Sequence, residues 1–207
     1  MPENKSEAVL RFWFPARPIS DRAAAVRQFE WWFGGASNAA VAERFAPLLE
    51  RAIRGELDHR AETARSRLAL ILVFDQFSRA IHGGTAQAFA QDPKALALAL
   101  EGIALGHYAA LATPWKKTFF FLPLGHSEEL AHVQTAVELA EQLAEKAPAE
   151  LRRILEHSAS QARGHRDVIA RFGRHPHRNA VLGRPSTPEE LEFLASGQLV
   201  HMRPLAR

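Results

Sequence analysis

The sequence predicts an all-α protein: a single domain of eight or nine helices over residues 1–207, packed as stacked antiparallel hairpins. Three observations lead there. Apolar residues recur at three- and four-residue spacings along most of the chain, and no stretch alternates with a period of two. Helix-capping residues and Gly or Pro stops punctuate the periodic runs. The turns between runs are short, which makes neighbouring helices antiparallel.

Each element has its own signal. Ser6 opens a helix through "SEAVLRFWF", stopped by Pro15. Ser20 or Asp21 opens a second, which ends at Gly34-Gly35. Asn38 caps a third, with Val41, Phe45, Leu48, Leu49 and Ile53 on one stripe and Gly55 at its end. Residues 61–79 form a fourth whose second half is apolar nearly all round, so it belongs at the centre. Asp92-Pro93 starts a fifth that runs to Gly106, with Pro in the first turn, where its missing N–H costs nothing. Pro114 begins a short aromatic helix, "PWKKTFFFL". Ser127 caps a seventh with Glu128 and Glu129 in its first turn, ending before Pro148. The eighth runs from there to Phe172, with Gly173 just past its end. Thr187-Pro188-Glu189-Glu190 starts the last. A fixed-period repeat is not evident, and the Trp and Leu-Gly pair of the tetratricopeptide consensus is absent.

Composition removes several function classes. The net charge of +3 is too small to predict nucleic-acid or membrane binding. No cysteine is present, which excludes disulfides, thiolate metal sites and thiol catalysis. "MPENKSEAVL" lacks the cationic start and apolar core of a signal peptide, and "LALILVF" at 68–74 is too short to span a bilayer. A cytoplasmic protein is expected. No Gly-rich phosphate loop, nucleophile elbow or HExxH is found, and no cofactor is implied.

Polar residues concentrate in three places. "FDQFSR" at 74–79 sets Asp75 and Arg79 four apart at the end of the apolar helix, where they can pair in a partly buried region beside Gln76. "LPLGHSEEL" at 122–130 offers His126, Glu128 and Glu129, for which helix capping is the plain structural reading and acid–base chemistry the functional one. His165 lies on the apolar stripe of the eighth helix, as a core histidine would. Asp167 sits between Arg163 and Arg171 at four-residue spacings, as in an exposed ion-pair ladder.

The third place is the connection "RFGRHPHRNAVLGR", 171–184, which holds Arg171, Arg174, Arg178, Arg184, His175 and His177 and no acid or lysine. Pro176 pushes His175 toward extended backbone, which would put His175 and His177 on one side. No third metal ligand is identifiable, and flanking guanidinium groups repel a cation, so no metal site is expected. Arginine forks suit a carboxylate or phosphate, and nearby cations keep the histidines neutral. The plain reading is a clamp: a loop without acids of its own is drawn in by distant carboxylates, so that Arg174, His177 and Arg178 fold back beside Asp75, Arg79 and the start of the Ser127 helix, with at least one loop arginine within about 4 Å of Asp75, Glu128 or Glu129.

Taken in order, "VLRFWF", "LALILVFDQFSRAIHGGTAQAFAQD", "FFFLPLGHSEEL" and "HRDVIARFGRHPHRNAVLGRPSTPEELEFL" resemble the bacterial family catalogued as domain of unknown function 924, from Val9 to Leu194. The resemblance implies an all-α fold similar to tetratricopeptide-like helical hairpins, and no particular activity. Its recurrent polar signature maps onto Asp75, Gln76, Arg79, His126, Ser127, Glu128, His165, Gly173, Arg174, Pro176, His177, Arg178, Asn179, Gly183 and Arg184. The chain departs from it at Ala80, where the family has Asn, and at His175, where it has an aromatic residue.

Two functions are expected to compete. In the first, a binding module takes an anionic small molecule or acidic peptide through Arg79, Arg174, His177, Arg178, Asn179 and Arg184, with Gln76 and Glu128 beside them. In the second, a small-molecule enzyme uses His126, His165, His177 and Asp75 for acid–base work, with arginines holding the anion. A purely structural network of the same residues is the third reading.

Overall fold

The computed structural model describes residues 5–17, 19 and 22–197, and these contain helices and turns with no strand. The α-helices are α1 (Lys5–Trp13), α2 (Arg22–Phe33), α3 (Asn38–Ile53), α4 (Ala64–Leu72), α5 (Ser78–His82), α6 (Asp92–Ala104), α7 (Pro114–His126), α8 (Leu130–Glu145), α9 (Ala149–Phe172) and α10 (Pro188–Ala195). No described helix is long and apolar enough to cross a membrane. The chain divides into two compact units, residues 1–123 and 124–207, and each is described by itself.

In the first unit, α4 packs against α1 and α6, and α3 against the segment that follows α4. Every residue from Arg67 to Ser78 is buried, so the all-round apolar run is the centre of this unit, as its pattern predicts. It is not one continuous α-helix. Val73–Phe77 winds as a wider π turn between α4 and α5, with no Gly or Pro to announce it. Aromatic side chains fill the space around it. Trp13 meets Phe77 and Phe119 edge-on, each at 5.5 Å between ring centres, and Trp32 meets Phe119 at 4.9 Å. Such pairs contribute about 0.5–1.5 kcal/mol each beyond the area they bury. The Trp32 indole N–H donates to the Trp13 carbonyl at 2.8 Å, which satisfies the one polar atom a buried Trp carries.

The second unit is built on the hairpin of α8 and α9, which pack along their lengths. The buried stripe of α8 is Val133, Ala136, Val137, Ala140 and Ala144, mostly small residues that let the helices approach closely. Ile154, Leu155, Ala159, Val168 and Ile169 are buried on α9. The end of α9 falls where expected: Gly173 takes a left-handed φ of 67°, which only Gly adopts without strain. The start of α10 is also as expected, with a reciprocal capping box between Thr187 and Glu190.

Other boundaries differ from the sequence reading. Asn38 is the first residue of α3, and Ser37 stands at the cap without a side-chain bond. The aromatic helix does not stop at Leu122 but continues through Pro123 to His126. The expected opening of α2 at Ser20 or Asp21 lies outside the described residues.

Candidate functional site

The 173–187 connection of the second unit is drawn in by carboxylates of that same unit. Arg174 donates to both oxygens of Glu190, from Nε at 2.6 Å and from Nη2 at 2.8 Å. Glu190 is buried, and it also accepts from the Thr187 backbone N–H at 2.8 Å and from Asn179 Nδ2 at 3.2 Å. Asn179 in turn accepts from Arg184 Nε at 3.1 Å. Arg184 then forks onto Glu128, from Nη1 at 2.7 Å and Nη2 at 3.0 Å, and Glu128 accepts the backbone N–H of His175 at 2.8 Å. Five side chains thus form one chain of bonds: Arg174, Glu190, Asn179, Arg184 and Glu128. Of the expected clamp, one contact is met in this unit: a loop arginine, Arg184, on Glu128.

The electrostatics follow from these contacts. Hydrogen bonds from Arg174 hold the Glu190 carboxyl down at a pKa of about 2. Burial alone would raise Glu128, but the bonds from Arg184 and from the His175 backbone, with the charge of Arg178, outweigh it, and Glu128 is lowered.

Several local expectations for this unit need correction. Ser127 does not cap α8 and Glu128 is not in its first turn, because the helix starts at Leu130 with Glu129 at the cap. The Ser127 hydroxyl instead accepts from the Glu129 N–H and lies 3.1 Å from His132 Nδ1. Glu128 is therefore freed from the helix to hold the distant loop. The Arg163–Asp167–Arg171 ladder does not form. Arg163 pairs with Glu141, Arg171 with Glu189, and Asp167 with Arg166, because partners from α8 and α10 compete with same-helix neighbours. His165 is half-buried rather than a core residue.

Four histidines and one arginine gather beside this clamp. His175 is 1% exposed, its backbone extended at φ −88° and ψ 101°. Pro176–Arg178 then forms a single 3-10 turn, so His175 and His177 do not share one side of an extended segment. Their rings are tilted instead, 5.4 Å apart between centres, while His165 meets His175 edge-to-face at 5.6 Å. Neither ring nitrogen of His175 has a hydrogen-bond partner. Burial, followed by the charges of Arg178, His165, His177 and His126, drives its pKa far below the ordinary histidine value, so the ring is neutral. Two imidazolium charges at such separations would repel by roughly 3 kcal/mol at an effective dielectric near 20. Neighbouring rings therefore resist being charged together. Among the described residues, no three His, Asp or Glu side chains are grouped so as to hold a metal ion.

The first unit has its own polar centre at the π turn. The buried Asp75 carboxylate accepts from Gln76 Nε2 at 2.6 Å and from Arg79 Nη1 at 3.0 Å, the expected pairing four residues apart. Arg79 also donates to the Asp75 carbonyl at 2.7 Å and forks onto Asp92, with both bonds at 2.9 Å. Arg79 is thus held by two carboxylates, Asp75 and Asp92.

Of the residues named from sequence, Glu128, His126, His165, Arg174, His177, Arg178, Asn179 and Arg184 belong to the second unit's cluster, and Asp75, Gln76 and Arg79 to the first unit's. Two participants were missed. Asp92 read only as a helix start, and Glu190 only as the acid of a capping box. For Glu190 the signal available was the excess of cations over acids in 171–184; "FDQFSR", with one acid and one cation, offered none for Asp92.

These features define a class before they define a family: an all-helical protein with buried polar clusters and no grouping of metal ligands among the described residues. A model of the family described as "Bacterial protein of unknown function (DUF924)" matches residues 9–198, and the chain belongs to that family. A solved structure of a protein of unknown function from Agrobacterium tumefaciens is 36% identical, covers 93% of this chain and 98% of its own, and shares the fold with a TM-score of 0.75. No curated protein matches the chain.

Proposed function

We propose that the protein binds a small anionic group at the cluster of His126, His165, His175, His177 and Arg178, on a scaffold of tetratricopeptide-like hairpins. The observation that carries this reading is the His175 ring, buried with both nitrogens unbonded. A neutral imidazole presents one donor and one acceptor, and each left unsatisfied in the interior costs about 1–3 kcal/mol. Such groups are few in native proteins, and a bound ligand is one way of completing them. The surroundings favour an anion: Arg178 is buried and its positive charge acts on the His175 ring. The clamp arginines Arg174 and Arg184 are already held by Glu190 and Glu128, so their part is to fix the loop.

The test is thermal stability and titration calorimetry of the whole chain with phosphate, sulfate, acetate and a dicarboxylate. An anion at one hundred times its Kd should stabilise the protein by about 2.7 kcal/mol. His175→Phe should fold and lose that effect. Stabilisation that is equal in the wild type and in His175→Phe, or absent with every anion, refutes the reading.

The pairing of the loop arginines by the chain's own acids supports a second, structural reading. In that case His175 packs as an aromatic ring against His165, and no anion has an effect.

A further inference from the structure

We propose that Ser127 and His132 form a nucleophile–base pair that hydrolyses small activated esters through an acyl-serine. The site is separate from the anion reading, since neither the His175 ring nor the clamp arginines take part. Ser127 stands in the short junction between α7 and α8. Its Oγ accepts the Glu129 N–H at 3.1 Å, a turn bond that uses the oxygen and leaves the hydroxyl proton to be donated elsewhere. The same Oγ lies 3.1 Å from His132 Nδ1, within the reach at which a histidine activates a serine. With its own proton on Nε2, the neutral ring accepts the Ser127 O–H at Nδ1. The Glu129 carboxylate has Oε2 3.5 Å from that nitrogen, so a third group stands beside the base to balance the charge it acquires. The turn accounts for the Glu129 N–H bond, but it does not call for a histidine at 132.

The surroundings suit acyl transfer. The N–H groups of Leu130 and Ala131, the first two of α8, have no acceptor within the helix and lie at its positive end. They are donors for a carbonyl oxygen that becomes negative. Ser127 and His132 are half-buried, while Leu130 and Ala131 are exposed, so a substrate meets open apolar surface beside the hydroxyl. That favours a short acyl group on a good leaving group. In the first step Ser127 Oγ attacks the carbonyl carbon while its proton passes to His132 Nδ1. The Oγ–C bond forms, the C–O bond to the leaving group breaks, and the departing oxygen takes the proton from the ring. Water, giving a proton to the same nitrogen, then adds to the acyl carbon. The Oγ–C bond breaks, Ser127 recovers its proton and the carboxylic acid leaves.

The test uses the whole chain with p-nitrophenyl acetate as substrate and a fluorophosphonate as a serine-directed label mapped by peptide mass spectrometry. The wild type should release nitrophenolate above the buffer rate and take about one label per chain, on the peptide that carries Ser127. Ser127→Ala should lose both. His132→Gln, which keeps a hydrogen-bonding side chain, should lower turnover about a hundredfold or more with its circular dichroism unchanged. If either variant fails to fold, the label position and turnover of the wild type decide. A wild type that takes no label at Ser127, or releases no nitrophenolate above buffer, overturns the proposal. So does turnover in folded Ser127→Ala or His132→Gln equal to that of the wild type.

Discussion

At the scale of single residues, Glu190 closes the second unit's network: one buried carboxylate receives Arg174, Asn179 and the backbone of Thr187. Glu190→Ala leaves Arg174 and Asn179 without that acceptor and should cost about 2–3 kcal/mol in urea unfolding. The pH dependence has a definite sign. An unfolded glutamate titrates near 4.3, and Glu190 in the fold near 2, so the unfolded chain binds the proton first. The stability that Glu190 contributes is whole above about pH 4.5 and is lost as pH falls toward 2. In Glu190→Gln that window should flatten relative to wild type. His175 follows the same logic one window higher. Its depressed value means the unfolded chain takes the proton first, so stability is lost as pH falls below about 6.5. His175→Phe should remove this slope and match or exceed wild-type stability near neutrality without an anion; a variant that retains the slope would show that another group titrates there.

At the scale of elements, close approach is enforced at Gly102 of α6, where an added Cβ would lie 2.5 Å from both Arg67 Cδ and Phe120 Cζ. Arg67 is itself buried, held by the Leu98 carbonyl, His107 and Glu101, and has little freedom to yield. Gly102→Ala should therefore destabilise the first unit by about 2 kcal/mol by overpacking, read as a lower Tm; an unchanged Tm would mean that α6 shifts freely. What the sequence revealed of the elements followed chemistry that is local. Gly173 and the Thr187–Glu190 box act within a few residues, and both ends were legible. The π turn was not: nothing in "VFDQF" is a breaker, and Arg79, just after it, is held by Asp92 from another helix. Ser127 was misread for a related reason. It has the residue type of a cap, but Glu128 is drawn to a loop 47 residues away and the helix starts later. The clustering of His126, His165 and His177 around His175 likewise depends on pairings that spacing does not contain.

At the scale of the whole molecule, far-ultraviolet circular dichroism should show a strongly helical spectrum, and a substantial strand signature would contradict the fold. The π turn carries a consequence for how this chain tolerates change in length. One additional residue in a turn advances everything after it by roughly 100° about the axis. Val73–Phe77 thus acts as a phase setting: it decides which way Ser78, Arg79 and the rest of α5 face, with hardly any change in how far the helix reaches. Deleting one residue between Asp75 and Arg79 would shorten the helix by only about 1.5 Å, yet would change the angle at which these two side chains now meet. Substitutions within that turn remain matters of packing, whereas a change of its residue count alters how Asp75 and Arg79 face one another.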